Sequence, residues 1–84
     1  MAKIDEKRER WNAAAARVLG DIRKESEKSQ EELAVLVGMS RSIIANIESS
    51  RKRIELSDLM LICDALDFDP REAIQRIASR KSVR

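Results

Sequence analysis

The chain has 84 residues, with 17 basic and 15 acidic side chains, a net charge of +2, and no histidine or tyrosine. That length makes one domain near the lower limit for burying its own core, so a partner subunit would add needed stability. Without histidine there is no Ser-His-Asp or Cys-His nucleophile and no histidine metal site, and a lone Cys63 cannot build a thiolate zinc site.

No stretch approaches the roughly eighteen apolar residues of a membrane span, and the charged N-terminus carries no signal-peptide pattern. A single cysteine fits a reducing, cytoplasmic setting. Two glycines and one proline punctuate the chain, and no β-branched alternation interrupts it. An all-α chain is expected.

The first helix is expected from about Ile4 to Glu25. Ile4, Trp11, Ala15, Val18 and Ile22 recur at helical spacing, and Ala13–Ala16 is a strong helix former. A second helix begins at Gln30, with Ser29 as N-cap and Glu32 completing a capping box; Gly38 ends it. Leu33, Ala34 and Val37 face its core side. Ser40 caps a third helix, roughly Arg41 to Ser49. The basic loop Arg51-Lys52-Arg53 follows, and Ser57 is expected to cap a fourth helix with Leu59, Ile62, Cys63 and Leu66 on one stripe. Asp69, Pro70 and Glu72 mark the start of a fifth, with Phe68 stapled onto Ala73. Cys63, on the apolar stripe, is expected to be a buried, inert thiol. Arg80 to Arg84 are expected to fray.

Charge is unevenly distributed. Residues 39–53 carry Arg41, Arg51, Lys52 and Arg53 against Glu48 alone, whereas residues 54–70 carry five carboxylates and no base. One face for a polyanion and another turned away from it would produce this pattern. The third helix refines the point. At about 100° per residue, Ile43, Ile44 and Ile47 share one side, and Arg41, Ser42, Ala45 and Asn46 share the other. Arginine can grip guanine and asparagine can grip adenine in a major groove, while Ala45 is small enough to permit close approach.

Two short helices joined by Gly38-Met39-Ser40 are a helix-turn-helix signature. The run Ser29-Gln30-Glu31-Glu32-Leu33-Ala34, then Gly38 to Ser42, then Ile47-Glu48, resembles the lambda-repressor-like (Cro-type or XRE-type) helix-turn-helix family. Leu59 through Leu66 and the turn into Pro70 extend the likeness, which covers about Val18 to Ile74. The resemblance implies a compact five-helix domain that binds double-stranded DNA as a homodimer on a near-palindromic operator, usually as a repressor. The core would span 18–74, with residues 1–17 as a helical extension and 78–84 as a basic tail. Arg41, Ser42, Ala45 and Asn46 would face the bases. Gln30, Ser40, Arg51, Lys52 and Arg53 would hold phosphates, and Gln30 would also brace the recognition helix. Arg23 and Glu48 match a structural ion pair. Trp11, Phe68, Ile74 and Ile77 are the candidates for a dimer seam. No cofactor is expected.

The chain departs from the family pattern in several places. Ser49-Ser50 replaces the usual Asn-Gly, Glu27-Lys28 replaces a Gly-Leu pair, and Ile43, Val35 and Leu36 are apolar where the family is commonly polar. The extended first helix is expected to cover Val35 or Leu36, in the same subunit or its partner. Acidic Glu31 and Glu32 could address RNA polymerase. The competing readings are an antitoxin that also binds a toxin, and an assembly protein that has lost DNA binding. An enzyme is the least favoured class.

Overall fold

The computed structural model describes residues 2–83, with side chains from 3 to 80. It holds α1 (Ala2–Glu25), α2 (Gln30–Val37), α3 (Arg41–Glu48), α4 (Leu56–Ala65) and α5 (Pro70–Val83), with no strand among the described residues. The five-helix expectation is met. Starts follow capping chemistry. The Ser29 hydroxyl accepts the Glu32 N–H at 3.0 Å while the Glu32 carboxylate accepts the Ser29 N–H at 2.8 Å. The Ser40 hydroxyl accepts the Ile43 N–H at 3.2 Å.

The start of α4 differs from expectation. Glu55, not Ser57, is the N-cap, and its N–H donates to the Asp58 carboxylate at 3.0 Å. At α5, Asp69 accepts the Arg71 N–H at 2.9 Å, while Glu72 turns to the Arg76 guanidinium at 3.0 Å. The basic tail placed at 78–84 is helix as far as Val83. Arg84 and the side chains of Lys81, Ser82 and Val83 lie outside the described residues.

The first four helices share one way of stopping. A residue with positive φ follows each: Glu27 at 59°, Gly38 at 84°, Ser50 at 65° and Asp67 at 53°. In each case the next N–H reaches back five residues: Lys28 to Arg23, Met39 to Ala34, Arg51 to Asn46, and Phe68 to Cys63. This closure satisfies carbonyls that the helix end leaves open. Glycine suits the left-handed position, and only Gly38 is one. At the other three, the hydrogen bonds must outweigh a side-chain penalty of about 1–2 kcal/mol each.

The core draws on every helix. Val18, Leu19 and Ile22 of α1 meet Leu33 and Ala34 of α2, Ile44 and Ile47 of α3, Leu59, Ile62 and Cys63 of α4, and Ala73 of α5. Half-buried Val37, Met39, Ile54, Leu66, Phe68 and Ile77 close around them. Burial pushes the Cys63 thiol up from its ordinary value, with the Asp69 charge adding to it, as suits an inert core cysteine. α1 also packs along α5. There Arg76–Glu25 and Arg80–Asp21 pair at 2.9 Å each, exposed enough to contribute little individually.

Apolar side chains outside the central cluster fall into three groups. Phe68 and Ile77, candidates for a dimer seam, pack on the core of their own chain. Val35 and Leu36 are 78% and 52% exposed, so α1 of the same subunit does not cover them. The forward half of α1 instead leaves the core, with residues 3–11 exposed. Ile4 and Trp11 lie on that half, and Trp11 is 45% exposed.

Glu27 is exposed, so replacing it tests the helix-closure argument with little else changed. Relief of left-handed strain, less the added freedom of the unfolded chain, predicts that Glu27→Gly raises unfolding free energy by roughly 0.5–1 kcal/mol. Urea denaturation monitored by circular dichroism checks this, and a loss of stability would contradict it.

Candidate nucleic-acid interface

α3 turns Ile44 and Ile47 fully into the core. Its opposite side presents Arg41 and Ser42 exposed, with Ala45 and Asn46 half-buried. The structure therefore brings the four expected base-reading residues onto one outward strip. Ile43, grouped by the helical wheel with the apolar side, stands at its edge and is exposed.

The pose of this strip depends on a cluster at the end of α3. The Arg23 Nε donates to Glu48 Oε2 at 2.7 Å and its Nη2 to Oε1 at 2.9 Å. The Gln30 amide adds a third bond to Oε1 at 3.0 Å, and Arg23 Nη1 reaches the Lys28 carbonyl at 2.7 Å. The side chains of Arg23 and Glu48 are only 10% and 11% exposed. A bidentate guanidinium–carboxylate pair fixes direction as well as distance. Its hydrogen bonds to Glu48 hold the Arg23 guanidinium above its ordinary pKa, against the opposing effect of burial. Gln30, to which the resemblance assigns both a phosphate and the bracing of α3, thus uses one amide N–H to brace α2 against α3.

Ser40 likewise serves α3 directly, since its hydroxyl is the N-cap. The basic loop divides. Arg51 and Arg53 are exposed, whereas Lys52 Nζ is 2.9 Å from Asp58 Oδ2. That carboxylate also accepts the Glu55 N–H. Burial pushes Asp58 up, but the hydrogen bonds from Glu55 and Lys52 outweigh it and leave the carboxyl below its ordinary value. Lys52 therefore holds the loop to α4 rather than standing as a third outward cation.

Asn12 also positions the loop after α3. From α1 its amide donates to the Ser50 hydroxyl at 3.0 Å and the Lys52 carbonyl at 3.1 Å, and its carbonyl accepts the Ile54 N–H at 2.7 Å. One side chain thus ties three points of the α3–α4 loop to the first helix. Its partners lie about forty residues away along the chain, and no local pattern announces such a contact.

The helix-turn-helix family model matches residues 19–72, more than half of the chain. The chain belongs to the XRE-type helix-turn-helix family. This family consists of DNA-binding transcription regulators rather than enzymes, and the lambda-repressor-like resemblance is borne out. Among solved structures the chain is similar to the restriction–modification controller protein C.AhdI from Aeromonas hydrophila. Their identity is 31% and the TM-score 0.68, over 73% of this chain and 92% of that one. It is also similar to the clp gene regulator ClgR from C. glutamicum, at 21% identity and a TM-score of 0.79, over 83% and 91% of the two chains. The wild-type controller protein C.Esp1396I matches at 22% identity and a TM-score of 0.79, over 88% and 94%. The last two likenesses speak for the fold alone. No curated sequence matches the chain significantly.

Removing Glu48 would leave the nearly buried Arg23 guanidinium without its counter-charge. Breaking one side of such a pair costs about 3–5 kcal/mol. Chemical denaturation of Glu48→Ala should show a loss in that range, and a loss below about 1 kcal/mol would demote the pair to an ordinary surface contact.

Proposed function

We propose that this XRE-family chain binds a near-palindromic operator in double-stranded DNA as a homodimer and represses transcription there. The observation that carries the reading is the outward strip Arg41, Ser42, Ala45 and Asn46 on a helix locked by the Glu48 cluster, with Arg51 and Arg53 exposed beside its end. Side chains of these types suit base edges, and the loop arginines suit phosphates, which set register. Gln30 and Ser40 support this surface by holding α2 and α3, and their helix N-termini favour phosphate on electrostatic grounds.

Dimerisation is supported by apolar surface on α4 and α5. Leu56, Met60, Leu61 and Ile74 are 69%, 45%, 49% and 48% exposed, an expense for a small monomer that a second copy would remove. Two-fold symmetry in the protein then demands two-fold symmetry in the operator. Repression follows if the bound dimer occupies the promoter and excludes polymerase. The work is cytoplasmic, where the operator lies, and no helix among the described residues is long and apolar enough to cross a membrane. The likeness to C.AhdI favours control of a restriction–modification operon as its setting.

A second reading rests on α2, whose outer side lines an open cleft with Lys28, Ser29, Glu31, Glu32, Val35 and Leu36. Exposed Val35 and Leu36 beside two carboxylates favour a protein partner there, either RNA polymerase or a toxin.

Selection from a random duplex pool at near-physiological salt separates the readings. The DNA-binding reading predicts an enriched near-palindrome with half-sites about one helical turn apart. Asn46→Ala should relax a single defined position in each half-site, a discrimination of about 1–3 kcal/mol. No enrichment, with binding that vanishes as salt rises, would leave only phosphate attraction and favour the protein-partner reading.

A further inference from the structure

The forward half of α1 lies outside the matched family region, which starts at residue 19, yet it is bound into the site by Asn12. Where it meets the α3–α4 loop there is a cleft of about 270 Å³ lined by Arg8, Glu9, Asn12, Ser50, Arg51 and Arg53. Three arginines line it, and none of their guanidinium groups makes a hydrogen bond or ion pair with another described residue. The neighbouring cation Lys52, by contrast, is neutralised by Asp58. Glu9 is the single carboxylate in the lining, so the cleft keeps a net positive charge.

Its geometry is set in advance. Asn12 uses its donor nitrogen twice and its acceptor oxygen once on the loop, so neither the loop nor the helix is left to order when a ligand arrives. Ser50, one of its partners, is the residue in left-handed conformation that closes α3. The cleft is therefore referenced to the recognition helix through one hydrogen bond and one helix end. Unpaired guanidinium groups beside a base-reading strip suit the phosphates of a duplex strand.

We infer that this cleft is a second phosphate site, in which Arg8 of the N-terminal extension joins Arg51 and Arg53 on the DNA backbone flanking each half-site. The inference rests on the operator-binding reading. Arg8 supplies charge, and Asn12 is a positioning residue that places the loop arginines opposite it. The extension thereby lengthens the footprint of a domain whose family region ends short of it.

The test compares the wild-type chain with Arg8→Gln on the duplex that the wild type selects, by fluorescence anisotropy between 50 and 200 mM salt. Each phosphate contact adds about 0.9 to the slope of log affinity against log salt. Arg8→Gln should lower that slope by about 0.9 per protomer, so that ~3.5-fold less affinity per protomer is lost across the range. The selected sequence and the melting temperature should not move, because Arg8 is exposed and reads no base. Arg8→Lys should retain most of the slope. Wild-type slope and affinity in Arg8→Gln would overturn the inference alone. If the wild type enriches no sequence at all, the operator reading falls and this inference falls with it.

Discussion

The Glu48 carboxylate takes hydrogen bonds from Arg23 of α1 and Gln30 of α2 at the very end of α3, so three helices meet at one nearly buried charge. An eight-residue helix has little stability of its own, and this one buries only Ile44 and Ile47 fully. Apolar contacts are not directional, whereas a bidentate ion pair is. The arrangement explains why Gln30 is useful at the start of α2. From there its amide reaches the same oxygen as Arg23, and the orientation of α2 is fixed relative to α3 by a single shared acceptor.

The other end of the recognition unit is held differently. The loop after α3 has no core of its own. Three separate devices secure it: the left-handed closure at Ser50, the Lys52–Asp58 pair, and the amide of Asn12. Each satisfies backbone or side-chain polar groups that would otherwise be left unpaired as the chain turns. A consequence is that the N-terminal extension is not an appendage. Its Asn12 belongs to the same mechanical unit as the base-reading strip, while its outer apolar residues, Ile4 and Trp11, stay on the surface.

What was legible in the sequence follows from the range over which each interaction acts. Ser29 with Glu32, Gly38, Ser40, and Asp69 before Pro70 are local signals, and helix boundaries fall where they indicate, apart from α4. There, Ser57 is a good cap in isolation, but Asp58 offers its carboxylate to the Glu55 N–H and moves the start forward. The polar strip of α3 was legible because a wheel over eight residues needs no tertiary information. The Arg23–Glu48 pair and Gln30 came within reach through the family resemblance. Asn12 and the Lys52–Asp58 pair did not, since each depends on where a loop lands. That Phe68 and Ile77 pack on their own core was not legible for the same reason: an apolar residue on a helix does not declare whether it meets its own core or another subunit.

The central claim is that the strip Arg41, Ser42, Ala45 and Asn46 enters the major groove. Dimethyl sulfate interference on the selected duplex addresses it directly, because the reagent marks guanine N7 in the major groove and adenine N3 in the minor groove. The account predicts that N7 methylation blocks binding in two patches about one helical turn apart. Interference confined to adenine N3 would place the protein in the minor groove and contradict it.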